Sequence, residues 1–172
     1  MDFECRVLSR NIQQALYDNQ KTLGTAESCT GGRIAEAVIS VPGASNYFKG
    51  GVVAYSDEVK EKMLGVPHSD IESHTAVSEQ VAVAMAEGLC RAMGVDYAIA
   101  TTGAAGPAGG TPEAPVGTIW IAYGAAGDME TFRLTEDFGR DINLSIATNK
   151  ALRLFLNYLK ERQSEEDSGA EG

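Results

Sequence analysis

The stretch Thr25-Ala26-Glu27-Ser28-Cys29-Thr30-Gly31-Gly32-Arg33 marks a change of local structure, because a short apolar run ends there, two glycines follow and a helical pattern begins. Residues 23–26 read as the end of a strand, and residues 33–40 as a helix. The polar residues between them lie where unpaired N–H groups of a helix start can hold an anion or an oxyanion. A purely structural interpretation stays open, in which Ser28 or Thr30 caps the helix and the glycines only make the turn.

The length and composition indicate one α/β domain. The chain has 172 residues, 44% of them hydrophobic, which is enough for one sizeable core over residues 1–160. Residues 161–172 form an acidic tail without apolar anchors, and we expect this tail to be disordered. The tail carries −4 of the net charge of −10, and this charge argues against a nucleic-acid partner.

No long apolar run or leader sequence is evident. The chain lacks eighteen consecutive apolar residues, and its first residues are too polar and acidic for a signal peptide. We therefore expect a soluble, cytoplasmic protein without a membrane partner. Cys5, Cys29 and Cys90 are odd in number and widely spaced, which predicts free thiols rather than disulfides or a zinc site. His68 and His74 fall in a predicted loop and are interpreted as surface residues.

Periodicity and turn residues predict an alternation of helices and strands, with a hairpin that makes the sheet mixed. The opening helix covers residues 2–19, and the stretch quoted above follows it. The later predicted elements are a short helical turn near 45–48, a strand at 50–55, a helix at 57–64, a loop at 65–75, a helix from Ser78 to about Gly94, a strand at 97–102, hairpin strands at 116–123 and 130–134, and a last helix from 141 to about 160.

Lys60 is the candidate base. It lies near the start of the helix at 57–64, close to Tyr55 at the end of the preceding strand. An ammonium group near a helix N-terminus and partly buried loses proton affinity, so its neutral amine can accept a proton. The alternative is a solvated face of Lys60 and Lys62, in which Glu58 pairs with Lys62.

A glycine-rich loop follows the predicted strand at 97–102. Residues 103–112 contain four glycines and two prolines, and such a loop after a buried strand is typical of ligand sites in α/β sheets. The loop matches neither the P-loop nor the dinucleotide fingerprint, so neither nucleotide class is indicated by motif. Arg140, at the start of the last helix, is a candidate phosphate contact or simply a solvated side chain.

Five motifs in unbroken order resemble the CinA C-terminal domain family, the nicotinamide-nucleotide amidohydrolases. The similarity covers roughly residues 5–160, and the chain resembles the stand-alone form of the family. The motifs are Thr25-Ala-Glu-Ser-Cys-Thr-Gly-Gly32, Gly51-Val-Val-Ala-Tyr55-Ser-Asp-Glu-Val-Lys60, Ala76-Val-Ser78, Thr102-Gly-Ala-Ala-Gly-Pro107 and Pro115-Val-Gly117.

The resemblance implies a three-layer α/β/α fold with a mixed, mostly parallel sheet, and a homodimer. It implies that nicotinamide mononucleotide is the substrate, deamidated to nicotinate mononucleotide and ammonia in pyridine nucleotide salvage, without a metal or an organic cofactor. By this similarity Ser28 is the nucleophile, Lys60 the general base and Tyr55 a hydrogen-bonding partner that orients or relays. The implied oxyanion and substrate contacts are Thr30, Gly31, Thr102, Gly103, Gly106 and Arg140.

Two positions depart from the family pattern. Leu144 stands where a second arginine is common, which removes part of the expected anion clamp, and Ala108 stands where an aspartate is frequent. Two other interpretations stay open. Cys29 replaces Ser28 as nucleophile, because a thiol at a helix start has a lowered pKa. Alternatively, the chain is a non-catalytic nucleotide- or partner-binding module.

Overall fold

The structure is a computed structural model that describes residues 2–170, and it alternates helices with strands along the chain. The helices are α1 (Phe3–Asp18), α2 (Arg33–Ile39), α3 (Asp57–Leu64), α4 (His68–His74), α5 (Glu79–Met93) and α6 (Arg140–Ala170), with a short 3-10 helix at Ala44–Asn46. The strands are β1 (Leu23–Glu27), β2 (Phe48–Val53), β3 (Tyr97–Gly103), β4 (Ile119–Ala125) and β5 (Asp128–Leu134).

The five strands form one open mixed sheet in the order β2-β1-β3-β4-β5. β1 pairs in parallel with both β2 and β3, whereas β4 is antiparallel to β3 and to β5. Four strands therefore share one direction, and the predicted mixed sheet is confirmed. All five residues of β1 are buried, because β1 lies inside the sheet and is covered on both faces.

Helices cover both faces of the sheet, which confirms the three-layer α/β/α architecture. On one face α1, α2 and α6 enclose a core that includes Ile12, Leu16 and Phe155. On the other face α5 packs on the sheet together with α3 and α4, around Leu89 and Met85. The carboxyl ends of the parallel strands β1 and β3 meet at one edge of the sheet, where ligand sites of α/β folds form.

The predicted loop at residues 65–75 is wrong over part of its length, because His68–His74 is the helix α4. Pro67 precedes the helix with a backbone φ of −61°, and Asp70 lies in its first turn. Ile71 packs against the core beside α5. One apolar residue in seven gives too weak a periodicity to reveal this helix from sequence.

The last helix also extends further than the sequence indicated. α6 continues to Ala170, beyond its predicted end near residue 160 and through most of the segment that we expected to be disordered. Arg162 holds this part of the helix to the β4–β5 hairpin through Asp128 and Glu130. Residues 171–172 of the predicted tail lie outside the described residues. Within residues 2–170, no helix combines the length and the apolar character needed to cross a membrane.

Candidate active site

Two side chains from separate strand-to-helix junctions meet in one pocket. Ser28 follows the last residue of β1, and Lys60 lies in the first turns of α3. The Lys60 Nζ and the Ser28 Oγ are 3.0 Å apart and form a hydrogen bond. Ser28 is 6% exposed and Lys60 1% exposed, so the contact is shielded from bulk water. A neutral amine in this position can accept the hydroxyl proton.

Burial changes the acidity of Lys60. Taking the ammonium out of water lowers the pKa of Lys60 from its ordinary value, and the carboxylate of Asp57, 3.9 Å away, opposes this shift. The predicted loss of proton affinity is confirmed in direction. Lys62, two residues further on, is exposed and pairs with Glu58, as the solvated interpretation requires for that residue.

Glu27 organises the corner that carries Ser28. Its buried carboxylate accepts hydrogen bonds from the backbone N–H groups of Gly32, Ile34 and Ala35, at 3.0, 3.1 and 2.8 Å. It thereby satisfies the N–H groups at the start of α2 that have no partner within the helix. The structural interpretation of the sequence, a cap by Ser28 or Thr30, is wrong, because Glu27 supplies the cap.

Glu27 was not among the predicted site residues, although its position in the sequence carried a signal. An acidic residue a few positions before a predicted helix start favours the positive end of the helix dipole. Thr30 takes part in the same arrangement: its hydroxyl donates to Glu27 at 2.7 Å and contacts the Thr101 hydroxyl, also at 2.7 Å. The Thr30 side chain is therefore buried in the corner and does not line the pocket.

The Gly31 N–H group is not available as an oxyanion donor in this structure. It donates a hydrogen bond of 3.1 Å to the Ser28 carbonyl and closes the turn. Gly31 and Gly32 have φ of 56° and 99°, values that glycine adopts without strain. The prediction for Gly31 is corrected on this point: the residue shapes the turn after Ser28, and its N–H group already has an acceptor.

The pocket around Ser28 and Lys60 has a volume of about 260 Å³. It brings together seven of the nine predicted site residues, and Thr30 and Gly31 are not among its lining residues. The lining residues are Ser28, Cys29, Tyr55, Asp57, Lys60, Ala76, Val77, Thr102, Gly103, Ala104, Ala105, Gly106, Ala108, Gly109 and Arg140. The glycine-rich loop therefore forms one side of the pocket, as the sequence predicted.

Arg140 and Tyr55 lie together at the rim. Arg140 donates from Nη1 to the Gly106 carbonyl at 2.9 Å and from Nη2 to the Tyr55 hydroxyl at 3.4 Å. Tyr55 is 62% exposed and follows the end of β2, so its ring lies at the pocket mouth. We expected Tyr55 to orient the Ser28–Lys60 pair, but its observed hydrogen bond is with Arg140.

Leu144, on the first turns of α6, lies in the core at 1% exposure. At this position of α6 the side chain packs with the apolar residues beneath the sheet, and Leu144 is not among the residues that line the pocket. Arg140 is therefore the cation that α6 contributes to the pocket rim. Ala108, at the other departure from the family pattern, lines the pocket without contributing a charge.

The Cys29 thiol is a weak candidate nucleophile. Burial raises the pKa of Cys29 to about 12, and the negative charge of Glu27 adds to the rise. The lowered pKa that we expected for a thiol at a helix start is wrong, because desolvation outweighs the effect of the nearby N–H groups. Cys29 stays protonated at neutral pH, which favours Ser28 as the reacting group.

Among residues 2–170, no group of three or more histidine, cysteine, aspartate or glutamate side chains is arranged to hold a metal ion. Cys5, Cys29 and Cys90 are free thiols, as predicted. His68 contacts Glu61 at 2.8 Å on the surface, and this contact raises the pKa of His68. The polar chemistry of the pocket comes from three hydroxyls, a thiol, an amine, a guanidinium, a carboxylate and backbone groups.

Comparison with known proteins gives concordant matches. The family model of the CinA C-terminal domain matches residues 6–159. A nicotinamide-nucleotide amidohydrolase PncC from Shigella flexneri is 43% identical over 88% of this chain and 93% of its own length. A CinA-like protein from Gemmatimonas aurantiaca is 53% identical over 65% of this chain. The chain spans only 26% of that relative, and 38% of a CinA-like protein from Chlorobium chlorochromatii.

Solved structures agree with these sequence matches. A CinA superfamily protein from Klebsiella pneumoniae superimposes with a TM-score of 0.87 at 34% identity, covering 91% of this chain and 98% of the other. A competence/damage inducible protein from Agrobacterium tumefaciens gives a TM-score of 0.88 at 33% identity, covering 93% of this chain and 98% of the other. The similarity therefore extends over most of the α/β/α unit.

Proposed function

This chain belongs to the CinA C-terminal domain family, and we propose that it hydrolyses the carboxamide of nicotinamide mononucleotide to nicotinate mononucleotide and ammonia. The observation that carries the proposal is the buried contact of 3.0 Å between the Lys60 Nζ and the Ser28 Oγ. The similarity to the Shigella flexneri amidohydrolase over nearly its full length supports the choice of substrate.

An amide is a poor electrophile, so a hydroxyl nucleophile needs an adjacent base and donors for the developing oxyanion. In the proposed first step the Ser28 Oγ attacks the carboxamide carbon, and the neutral Lys60 amine takes the hydroxyl proton. The tetrahedral intermediate then collapses: the carbon–nitrogen bond breaks, and protonated Lys60 gives its proton to the leaving nitrogen. Ammonia departs, and the acyl group remains as an ester on Ser28.

In the second half of the cycle a water molecule attacks the ester carbon. Lys60 takes one proton from this water and returns it to the Ser28 oxygen as the ester bond breaks. The product is the carboxylic acid, and both side chains regain their starting forms. The Gly31 N–H already donates to the Ser28 carbonyl, and Thr30 does not line the pocket, so this structure offers neither N–H group of the predicted pair to the oxyanion.

The substrate's phosphate is assigned to the rim of the pocket. Arg140 lies at the start of α6 and carries a full positive charge beside the Gly106 carbonyl. A guanidinium with donors to spare suits a phosphate, and Tyr55 adds a hydroxyl at the same place. Thr102, Gly103 and the following loop then border the sugar and the ring.

The remaining expectations from the resemblance are also part of the proposal. We infer that the chain forms a homodimer, acts in pyridine nucleotide salvage and NAD metabolism, and works in the cytoplasm without binding nucleic acid or a membrane. The net charge of −10 supports the absence of a nucleic-acid partner. Residues 1–160 are proposed to be a single domain.

The test is an ammonia-release assay on nicotinamide mononucleotide, with nicotinamide and nicotinamide riboside as phosphate-free comparisons. We expect release from the phosphorylated compound and much less from the other two. Binding of nicotinamide mononucleotide without any ammonia release would support the non-catalytic module and overturn the amidase.

A further inference from the structure

The turn between α4 and α5 contains a strained residue. Thr75 has φ 65° and ψ 165°, a region of backbone conformation that is essentially restricted to glycine. Its N–H group donates to the Ile71 carbonyl at 2.9 Å, and its carbonyl accepts from the Ser78 hydroxyl at 2.8 Å. A β-branched residue persists in this conformation only because the surrounding contacts determine it.

The sheet fixes the same turn from the other side. Thr102, buried on β3, donates from its hydroxyl to the Ala76 carbonyl at 2.7 Å. Ser78 also caps α5, because its Oγ accepts the Val81 N–H at 3.3 Å. The turn is therefore held by α4, by α5 and by the strand that ends at the pocket, and its position relative to Ser28 is fixed.

The outcome of this arrangement is an apolar wall. Ala76 and Val77 are half-buried and line the pocket that contains Ser28 and Lys60. The charged and hydroxyl-bearing side chains that also line the pocket suit an amide, a sugar or a phosphate. The faces of a flat heteroaromatic ring pack well against apolar side chains, and Ala76 and Val77 provide such side chains.

We propose that Val77 is a specificity-determining residue that packs against the ring of the substrate, and that Thr75 and Thr102 are positioning residues for it. The inference rests on the proposed function and deepens it, since it says which part of the pocket selects a ring-bearing carboxamide. A β-branched residue at position 75 limits the backbone conformations of the turn, and the hydrogen bonds to Ile71, Ser78 and Thr102 keep Val77 at the pocket.

The first test compares two ligands on wild type and on Val77→Ala. Nicotinamide mononucleotide carries the ring, whereas ribose 5-phosphate shares its sugar phosphate and lacks the ring. Removing two methyl groups from the wall should raise the KM for nicotinamide mononucleotide by about 10-fold, with kcat little changed. The inhibition constant of ribose 5-phosphate should stay at its wild-type value.

Val83→Ala is the matched control. Val83 lies on α5, is also half-buried, and packs against the core rather than the pocket. The same truncation there should leave both constants unchanged. The role of Val77 would be overturned if Val77→Ala raised the KM for nicotinamide mononucleotide and the inhibition constant of ribose 5-phosphate equally, or changed neither of them.

The second test relaxes the turn. Thr75→Gly keeps the backbone hydrogen bonds and removes the strain, so its melting temperature should equal or exceed that of wild type. The KM for nicotinamide mononucleotide should nevertheless rise several-fold, because glycine has access to many more backbone conformations and therefore holds Val77 less firmly. A lower melting temperature, or an unchanged KM, would contradict the assignment of Thr75 as a positioning residue.

Binding measurements distinguish a failure of the proposed ring-binding wall from a failure of the proposed reaction. If wild type releases no ammonia, the proposed function fails, and the wall is judged by calorimetric dissociation constants of the two ligands. A loss of affinity in Val77→Ala that is confined to nicotinamide mononucleotide then supports the wall. Equal wild-type affinities for both ligands, or no binding of nicotinamide mononucleotide, overturn it.

Discussion

The Lys60 Nζ lies 3.0 Å from the Ser28 Oγ, although the two residues are 32 positions apart in the chain. They meet because β1 and β2 are parallel neighbours whose carboxyl ends share one edge of the sheet. β1 leads directly into Ser28, and the chain after β2 leads into α3, which carries Lys60.

Lys60→Met should reduce ammonia release by about 100- to 10,000-fold, the usual contribution of a general base. Methionine keeps the length of the side chain but cannot accept a proton, and it suits a buried site. Unfolding in urea should therefore show no loss of stability. Lys62→Met, on the exposed face of the same helix, is the control and should retain wild-type activity.

The pH dependence should report the state of Lys60. Catalysis needs the neutral amine, so kcat/KM should rise with pH and level off above the Lys60 pKa, which burial places below the ordinary 10.5. Asp57 opposes this shift, so Asp57→Asn should move the inflection to lower pH. The movement should be small, because the Asp57 side chain is 57% exposed. An inflection that moves to higher pH would contradict the assignment.

Arg140→Ala should weaken binding of the phosphorylated substrate. Losing charge-assisted hydrogen bonds to a phosphate should raise the KM for nicotinamide mononucleotide by about 10- to 100-fold. Any slow turnover of nicotinamide riboside should not change, because this compound lacks the phosphate. Steady-state kinetics on both compounds test this prediction. An equal loss of kcat/KM for the two compounds would place Arg140 outside the phosphate site.

Glu27→Gln should destabilise the fold and impair catalysis together. A buried carboxylate that accepts from Gly32, Ile34 and Ala35 would be replaced by an amide that turns an NH₂ group toward some of these donors. We expect a loss of about 3 kcal/mol in the free energy of unfolding, measured in urea. Glu36→Gln, on the exposed side of α2, should change the free energy by less than about 0.5 kcal/mol.

Gly88→Ala should disturb the site from a distance. A methyl group at Gly88 on α5 would overlap the carbonyl of Leu64, the last residue of α3. Since α3 carries Lys60, pushing the helix outward should lower both activity and the free energy of unfolding, the latter by about 1–3 kcal/mol. An added Cβ at Gly169 on α6 has open space, so Gly169→Ala should leave activity unchanged and should not lower the free energy of unfolding.

Much of the fold could be predicted because its signals are local. The strand at β1, the helix α3 and the hairpin of β4 and β5 have clear periodicity and turn residues, and the structure reproduces them closely. α4 escaped prediction because only Ile71 packs inward. The predicted end of α6 came too early because residues 161–170 have no apolar periodicity. Contacts of Arg162 with a hairpin that is distant in sequence support this part of the helix.

The candidate site also combines features with a local signal in the sequence and features that depend on tertiary contacts. Motif resemblance identified Ser28, Lys60 and Arg140, which the structure brings into one pocket. The cap by Glu27 and the burial of Cys29 depend on which side chains the tertiary structure encloses, and periodicity in one segment does not report this. For the same reason the pKa of the Cys29 thiol was predicted in the wrong direction.

The most direct test of the account is ammonia release from nicotinamide mononucleotide by wild type, Ser28→Ala and Cys29→Ala, with folding of each variant verified by circular dichroism. We predict that Ser28→Ala falls to the uncatalysed background and that Cys29→Ala keeps most of the wild-type rate. Wild-type release by Ser28→Ala, or its loss in Cys29→Ala alone, would contradict the assignment of Ser28 as the nucleophile.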